Sequence, residues 1–465
     1  MVEKYDVVIV GAGTAGTYIG WLMAKKGFSI LIIEKNKKEE VGKRLDVIHF
    51  ETDRIEKAGI PPPKEDYPEL VGRFETDTVN APDFKTFKKI RALQTVIRLS
   101  YFLQRMYKLA EADGTRFEFE TKFVDLIFED KKIVGILVEK DGDSIDYRSR
   151  IVIDASGTVG AIRTKLPANY GIETFKLGPD DVMYVLLQYI KWSKPEEPYP
   201  PHLNGYIYYL AWLGPCHIDN GAIIGVGQPG SYEKVAKVRD DFLTKANFPP
   251  YEIIKSERGF TPYRRPPYSL VGDSILCIGD AAAITYPFSG HGVTATWMLC
   301  TIAADVLEHT LQQEGYITRE KLWNINVRYY RNQGAQFAGL FMQLSGILNF
   351  TEKEWNYLVK SNIIYRSRKG DIPEPNKEYE ADLSFGEILK IALGLLGGVL
   401  KRKLSFKNVK KLLKANGLAG KIKKHYENYP ENPDDFDDWV KKANELWKHK
   451  KVVRKKYPSV TIEYH

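Results

Sequence analysis

The stretch from Tyr5 to Glu34 constrains this chain more than any other. It holds an apolar run, three glycines at fixed spacing, a helix-forming segment, a second apolar run and an acid, in that order. Val7 to Val10 are all β-branched, which suits a strand buried on both faces. Gly11, Gly13 and Gly16 come next at the G-x-G-x-x-G spacing, with Ala12, Thr14 and Ala15 between them. Gly11 permits a tight turn, Gly13 lets backbone approach a pyrophosphate, and Gly16 lets helix and strand pack closely. Thr17 to Lys26 predicts a helix whose N-terminal amides and dipole hold phosphates. Ile30 to Ile33 predicts the second strand, and Glu34, with Lys35 after it, is placed to accept hydrogen bonds from an adenosine ribose. A glycine-rich turn in some other α/β fold is the competing reading, and the full order of elements argues against it. An acid at this position favours an unphosphorylated ribose, so FAD or NAD is expected rather than NADP.

A chain of 465 residues has room for two or three domains of ordinary size, ~150 residues each. A hydrophobic fraction of 43% with 28% charged residues is that of a globular protein and excludes a disordered or fibrous one. The net charge of +8 is modest for this size and gives no ground to expect nucleic acid. The three cysteines, Cys216, Cys277 and Cys300, lack C-x-x-C spacing, so neither a metal site nor a disulfide framework is expected. No apolar run reaches the ~20 residues of a membrane span, and the first strand begins too early for a signal peptide. These features predict a cytoplasmic protein.

Further along, Gly42-Lys43-Arg44-Leu45-Asp46 leads into a segment, Ile48 to Ala58, that reads as a helix capped by Gly59, before Pro61-Pro62-Pro63. Residues 67–90 are strand-like. Arg98 to Ala112 predicts a helix with Leu99, Phe102, Leu103 and Met106 on one face. Phe117 to Phe128 and Ile133 to Val138 predict strands, Asp141-Gly142-Asp143 a hairpin turn, and Arg150 to Asp154 a strand ending in Asp154-Ala155-Ser156-Gly157. Val182 to Ile190, Tyr206 to Trp212 and Gly221 to Gly227 predict a second sheet. Gly225-Val226-Gly227 is not a second fingerprint, because Pro229 comes after it and no helix does; a strand with close backbone approach is expected. Ser274 to Ile278 predicts a strand into Gly279-Asp280-Ala281-Ala282, then Pro287-Phe288-Ser289-Gly290-His291-Gly292-Val293 and a long apolar helix to Leu307. A flavin's ribityl hydroxyls need an acceptor such as Asp280. The glycine-rich helix start brings amides and a positive dipole end to the flavin's pyrimidine ring, where they would stabilise the anionic reduced form.

The paired motifs, with Asp154-Ala155-Ser156-Gly157 between them, resemble the flavoprotein superfamily of para-hydroxybenzoate hydroxylase and, within it, the geranylgeranyl reductase family, from Met1 to roughly Leu311. Gly42 to Asp46 resembles that family's loop beside the flavin, and Pro287 to Gly292 its P-x-x-G-x-G segment. Leu210-Ala211-Trp212-Leu213-Gly214-Pro215 is similar to its Y-x-W-x-F-P pocket motif, matching at Trp212 and Pro215 only. The resemblance implies FAD and the saturation of carbon–carbon double bonds in a prenyl lipid or other apolar substrate. Electrons would come from an external donor, a ferredoxin-type protein or NAD(P)H. It adds Arg44, Arg98, Ala155, Gly157, Pro287, Gly290, Gly292 and Val293 to the cofactor contacts, and Tyr206, Tyr208, Trp212 and Pro215 to the substrate pocket. Asp46 stands where several archaeal members carry a cysteine. It is a candidate acid, with a carboxylate paired to Arg44 or Lys43 as the alternative. His291 is a candidate proton source or flavin contact, with a structural hydrogen bond as the alternative. A flavin-dependent monooxygenase or halogenase on the same fold is the rival chemistry, although the W-x-W-x-I-P motif of halogenases is incomplete here. A membrane-associated flavin-binding protein without turnover is the rival of another class.

The expected architecture is α/β: a Rossmann-type FAD-binding domain (1–60, 94–175 and 258–330), an antiparallel-sheet substrate domain (61–93 and 176–257) and a helical C-terminal domain (331–465). Within the last, Trp323 to Phe350 predicts a helix pair. Ile388 to Leu400 is apolar and meets Lys401-Arg402-Lys403, and the basic run continues to Lys456. Two readings stay open there: peripheral contact with the inner membrane face, and a helical cap with a solvated lysine face.

Overall fold

The computed structural model describes residues 3–65, 67–167, 170–194, 210–288, 290–364 and 385–448. Its largest sheet has eight strands. Lys4–Val10 lies at the centre, parallel to Ile30–Ile33 on one side and to Asp143–Asp154 on the other. Thr115–Glu118 and Ile275–Cys277 extend the parallel order outward, and Val271–Gly272 closes one edge antiparallel. The hairpin Thr121–Glu129 and Lys132–Lys140 adds antiparallel strands beside Asp143–Asp154. Val7 to Val10 and Ile30 to Ile33 are buried throughout, as unbroken apolar runs require where helices cover both faces. The helices Thr14–Ala24, Leu99–Ala112 and Val293–Leu311 supply that cover, with Tyr18, Phe102, Met106, Trp297 and Leu299 in the shared core.

Two smaller sheets stand beside it. Ala211–Gly214, Gly221–Pro229, Val182–Trp192 and Tyr251–Pro262 form an antiparallel four-stranded sheet, whose outer face carries the helix Tyr232–Lys245. Val47–Glu51, Phe87–Arg98 and Leu70–Asn80 form a three-stranded sheet. The segment 48–58 is therefore not the single helix expected: it is a strand that runs into the short helix Thr52–Lys57. Pairing with Phe87–Arg98 decides this, since the Val-Ile-His-Phe run fits a pleated surface better than a helix once a partner strand is beside it. The three-stranded sheet thus joins segments that the sequence assigned to different domains.

The C-terminal region also divides differently. Arg319–Tyr329 runs through a π-helical turn, Tyr330–Gly334, into Ala335–Ile347, making one interrupted helix where a pair was expected. The extra residue in that turn lets both Tyr329 and Tyr330 point into the core. Ala335–Ile347 and the helices Phe406–Glu427 and Phe436–Lys448 pack into the same core as the parallel sheet. Glu352–Lys360, Phe385–Leu400 and the start of Phe406–Glu427 form a separate small cluster around Phe350, Trp355, Leu395 and Leu404.

Candidate active site

Register brings the carboxyl ends of the parallel strands together. Val10 is opposite both Ile33 and Asp154, and Cys277 is opposite Asp154. The residues just past these ends, Gly11, Glu34, Ala155 and Gly279, therefore share one edge of the sheet, where open α/β sheets bind ligands. A Cβ on Gly11 would collide with the Ala155 carbonyl, and one on Gly16 with the Gly11 carbonyl. A Cβ on Gly13 would meet nothing within 4 Å, so the turn presents open backbone at the start of Thr14–Ala24. Ala12 N donates to Glu34 Oε2 (3.1 Å), while Asn36 holds the other oxygen of Glu34 through its backbone (3.0 Å) and side chain (2.8 Å). Thr17 Oγ1 and Tyr107 Oη pin the Ala12 carbonyl at 3.0 and 2.8 Å. Tyr107 was not among the expected site residues; it lies far along the chain and looks like a core aromatic on its helix.

On the other side of the edge, Asp154 accepts from Ser156 N and Oγ (3.1 and 2.5 Å), Ile162 N (3.2 Å) and Arg163 N (2.7 Å). Arg163, almost wholly buried, donates from Nε to the Ala281 carbonyl (2.7 Å) and stacks on Phe175. It ties the 155–163 loop, which holds Ala155 and Gly157, to the Gly279-Asp280 turn. No motif in the sequence marked Arg163. Gly279 has φ +62°, and a Cβ there would sit 3.0 Å from that of Ala15, so the two halves of the site touch. The Asp280 carboxylate differs from its neighbours: among the described residues no donor reaches it, and burial pushes its pKa up to about 7. It lies against Gly292, at the start of Val293–Leu311, beyond Pro287 and Gly290. An unfilled acceptor beside open glycine backbone and a helix N-terminus fits the hydroxylated chain and phosphates of FAD.

Asp46 is buried and its carboxylate takes three donors: Arg98 Nε (2.9 Å), Ser100 N (2.9 Å) and Ser100 Oγ (2.7 Å). Its partner is thus Arg98 and not Arg44 or Lys43, and it anchors the N-terminus of Leu99–Ala112. Arg98, expected at the cofactor, also lies over the Tyr101 ring. Arg44 is exposed, with Nε on the Arg258 carbonyl (2.7 Å), and so faces the four-stranded sheet. Lys35 is exposed beside Glu34. His291 Nδ1 meets Glu51 Oε1 at 2.9 Å, and Thr294 Oγ1 donates to Glu51 Oε2 at 2.9 Å. Burial opposes the charge on both members of this pair. Their mutual attraction wins, raising the His291 pKa and lowering that of Glu51 to about 2.

A second imidazole lies nearby. His49 contacts Gln94 Oε1 through Nδ1 (3.2 Å); burial, partly offset by this hydrogen bond, lowers its pKa to about 4, with the His291 charge acting in the same direction as burial. A Cβ on Gly214 would come within 3.0 Å of the His49 ring, so this histidine borders the strand that carries Trp212. A Cβ on Gly225 would overlap the Trp212 indole, which lies across the Gly221–Pro229 strand, so the close approach there is by a side chain and not by backbone as expected. Pro215 ends that segment, and Tyr206 and Tyr208 lie outside the described residues. The adjoining groove, about 370 Å³, is lined by Leu70, Arg98, Cys216 and His217. Glu51, His49 and Gln94 went unnoticed in the sequence because they alternate along strands in a stretch that read as helix and loop.

A family model described as an FAD binding domain matches residues 4–208. The digeranylgeranylglycerophospholipid reductase of Sulfolobus acidocaldarius is 25% identical over 95% of this chain and 97% of its own length. A 1H-pyrrole-2-carbonyl-[peptidyl-carrier protein] brominase of Pseudoalteromonas luteoviolacea is 25% identical over 72% of this chain and 84% of its own. Among solved structures, a geranylgeranyl bacteriochlorophyll reductase-like protein of Thermoplasma acidophilum superposes with a TM-score of 0.69 at 16% identity, over 89% of this chain and all of its own. With the fingerprint and the strand-end geometry, these relatives make the chain an FAD-dependent oxidoreductase related to the geranylgeranyl reductases.

Proposed function

We propose that this protein saturates carbon–carbon double bonds of an isoprenoid chain carried by a lipid. The observation that carries the reading is the seam between the two halves of the molecule. There His49, on the same strand as the Glu51 that pairs with His291, borders Gly214 on the four-stranded sheet. The relative from Sulfolobus acidocaldarius, similar along almost the whole chain, supports the same substrate class. The Gly11–Gly16 turn, Glu34, Asp280 and the helix start at Gly292 would hold FAD. Once reduced by an external donor, bound FAD supplies hydride. An isolated alkene accepts hydride poorly, so the chain's own residues must deliver a proton to the second carbon. Glu51 favours the charged form of His291, which makes that imidazole the proton source, and His49 borders the pocket at Gly214. Asp46 has its acceptor capacity spent on Arg98 and Ser100, so it organises the loop rather than protonating substrate.

The brominase relative favours one second reading, oxygen-dependent chemistry at the same cofactor. The two separate under anaerobic conditions. Dithionite-reduced holoprotein is mixed with a geranylgeranyl lipid while flavin absorbance and product mass are recorded together. Reoxidation matched by two added hydrogens per double bond supports the reductase. Reoxidation that waits for oxygen, with no saturated product, sinks it.

A further inference from the structure

The helix Phe385–Leu400 turns the wrong face outward for a helix in water. Ile388, Leu389, Leu393, Leu396 and Leu400 are about half exposed or more, Leu400 reaching 75%, and the leucines at 389, 393, 396 and 400 keep the helical repeat along one stripe. The opposite face is fixed. Leu395 is buried, and a Cβ on Gly398 would come within 2.6 Å of both Tyr357 and Leu404. Tyr357 Oη also donates to the Gly394 carbonyl at 3.0 Å. The anchoring glycines therefore hold the helix down with its leucines out. Among the described residues nothing packs on that stripe.

Positive charge follows it along the chain. From Gly386 to Tyr426 lysines and arginines recur, from Lys390 to Lys424, and Glu387 is the one acid. Lys401, Arg402 and Lys403 come directly after the stripe, and Phe406, itself exposed, opens the next helix. At this end a groove of about 620 Å³ is lined by Lys353, Arg402, Lys403, Lys407 and Lys411. The acid in it, Glu354, is buried and already accepts from Thr351, Ser405 and Asn408. The groove thus presents cations with no competing free carboxylate. At 1.5 Å per residue the 16-residue helix is about 24 Å long, short of the ~30 Å core of a bilayer. No helix among the described residues is long and apolar enough to cross one.

We propose that Phe385–Leu400 lies in the surface of a membrane bearing anionic headgroups. Its leucine stripe sinks among the acyl chains, and the 401–411 cations and their groove hold headgroup phosphates. The same cluster abuts the substrate half of the molecule: Lys245 Nζ bonds Glu352, and Asp83 N bonds Asn356 Oδ1. The docking goes beyond the proposed reaction, and its test reads partition rather than turnover, so either can fail alone.

The full, FAD-loaded protein is sedimented with extruded vesicles of phosphatidylglycerol and phosphatidylcholine, and with phosphatidylcholine alone. The wild type pellets with the anionic vesicles and ~10-fold less with neutral ones or in high salt. The Leu393→Glu, Leu396→Glu double variant loses ~100-fold in partition while keeping its FAD and its melting temperature. The Lys403→Glu, Lys407→Glu variant loses the preference for anionic vesicles. Emission of Leu396→Trp, taken as a difference from wild type, shifts to the blue on vesicles. A wild type left in the supernatant at low salt, or an unshifted difference spectrum, overturns the proposal. So does a dimer that the Glu pair dissociates without changing vesicle binding, because the stripe is then a contact between two copies.

Discussion

Two acids flank the cofactor edge, and their surroundings are opposite. Asp46 holds three donors and Asp280 none among the described residues. Replacing Asp46 by Asn should cost about 1–3 kcal/mol, by weakening a buried pair whose arginine is partly exposed. It should leave the shape of the turnover-versus-pH profile unchanged. Loss of one limb of that profile would make Asp46 the acid after all. Replacing Asp280 by Asn should weaken FAD binding yet stabilise the apoprotein. An Asp with its pKa raised to about 7 holds its proton when the unfolded chain has lost it, so stability falls as pH rises from the ordinary 3.8 towards 7. Thermal melts of wild type and variant across that range should diverge as pH rises; parallel curves would count against the buried carboxylate. The His291–Glu51 pair has two limits. The raised histidine contributes fully below its ordinary 6.5 and is lost as pH climbs through its folded value. The depressed glutamate contributes fully above its ordinary 4.5 and is lost as pH falls towards 2. The stability difference between wild type and Glu51→Gln should therefore peak between pH 4.5 and 6.5 and shrink on both sides. A flat difference would mean that the pair carries no charge.

At the level of elements, the strand ends were legible because their chemistry is local. A β-branched run ending in a patterned glycine turn specifies the strand, the turn and the helix start beyond it, and Ile30–Ile33 was readable to the residue. Val47–Glu51 was not legible. Its fate rests on pairing with Phe87–Arg98, which nothing nearby in the chain announces, and with it went the view of His49 and Glu51 as facing groups. Gly225 lies between these cases: its setting in a strand and Pro229 predicted a close backbone approach, but the fold brings the Trp212 side chain there instead. Gly225→Ala should then push the indole aside. The expected result is a KM raised roughly tenfold with FAD affinity and kcat little changed, since a displaced ring costs on the order of 1–3 kcal/mol. Steady-state kinetics beside an FAD titration would check this, and a fall in FAD affinity with KM unchanged would place Trp212 outside the substrate pocket.

At the scale of the whole molecule, helical periodicity cannot say which core a helix joins, and residues 331–465 read as a domain of their own for that reason. The packing says otherwise. Trp439 stacks on His425 with ring centres 4.7 Å apart and donates from Nε1 to the His425 carbonyl at 3.1 Å. It also meets Tyr429 at 4.7 Å and Tyr268 at 5.7 Å. Tyr268 precedes the edge strand Val271–Gly272 and donates its backbone N–H to Glu173, which pairs with Arg265. Tyr429 Oη in turn donates to the Tyr268 carbonyl at 2.8 Å. A disturbance at Trp439 therefore reaches the edge of the sheet that presents Asp280 without any contact to the cofactor site. Trp439→Ala should cost about 3–5 kcal/mol, as large aromatic truncations in a core do. It should lower the temperature of FAD release together with that of unfolding in a single transition, and Trp439→Phe should recover much of both. If Trp439→Ala instead splits off a separate low-temperature transition and FAD release stays where it was, the C-terminal helices fold as an independent unit. The division suggested by periodicity would then be the better description.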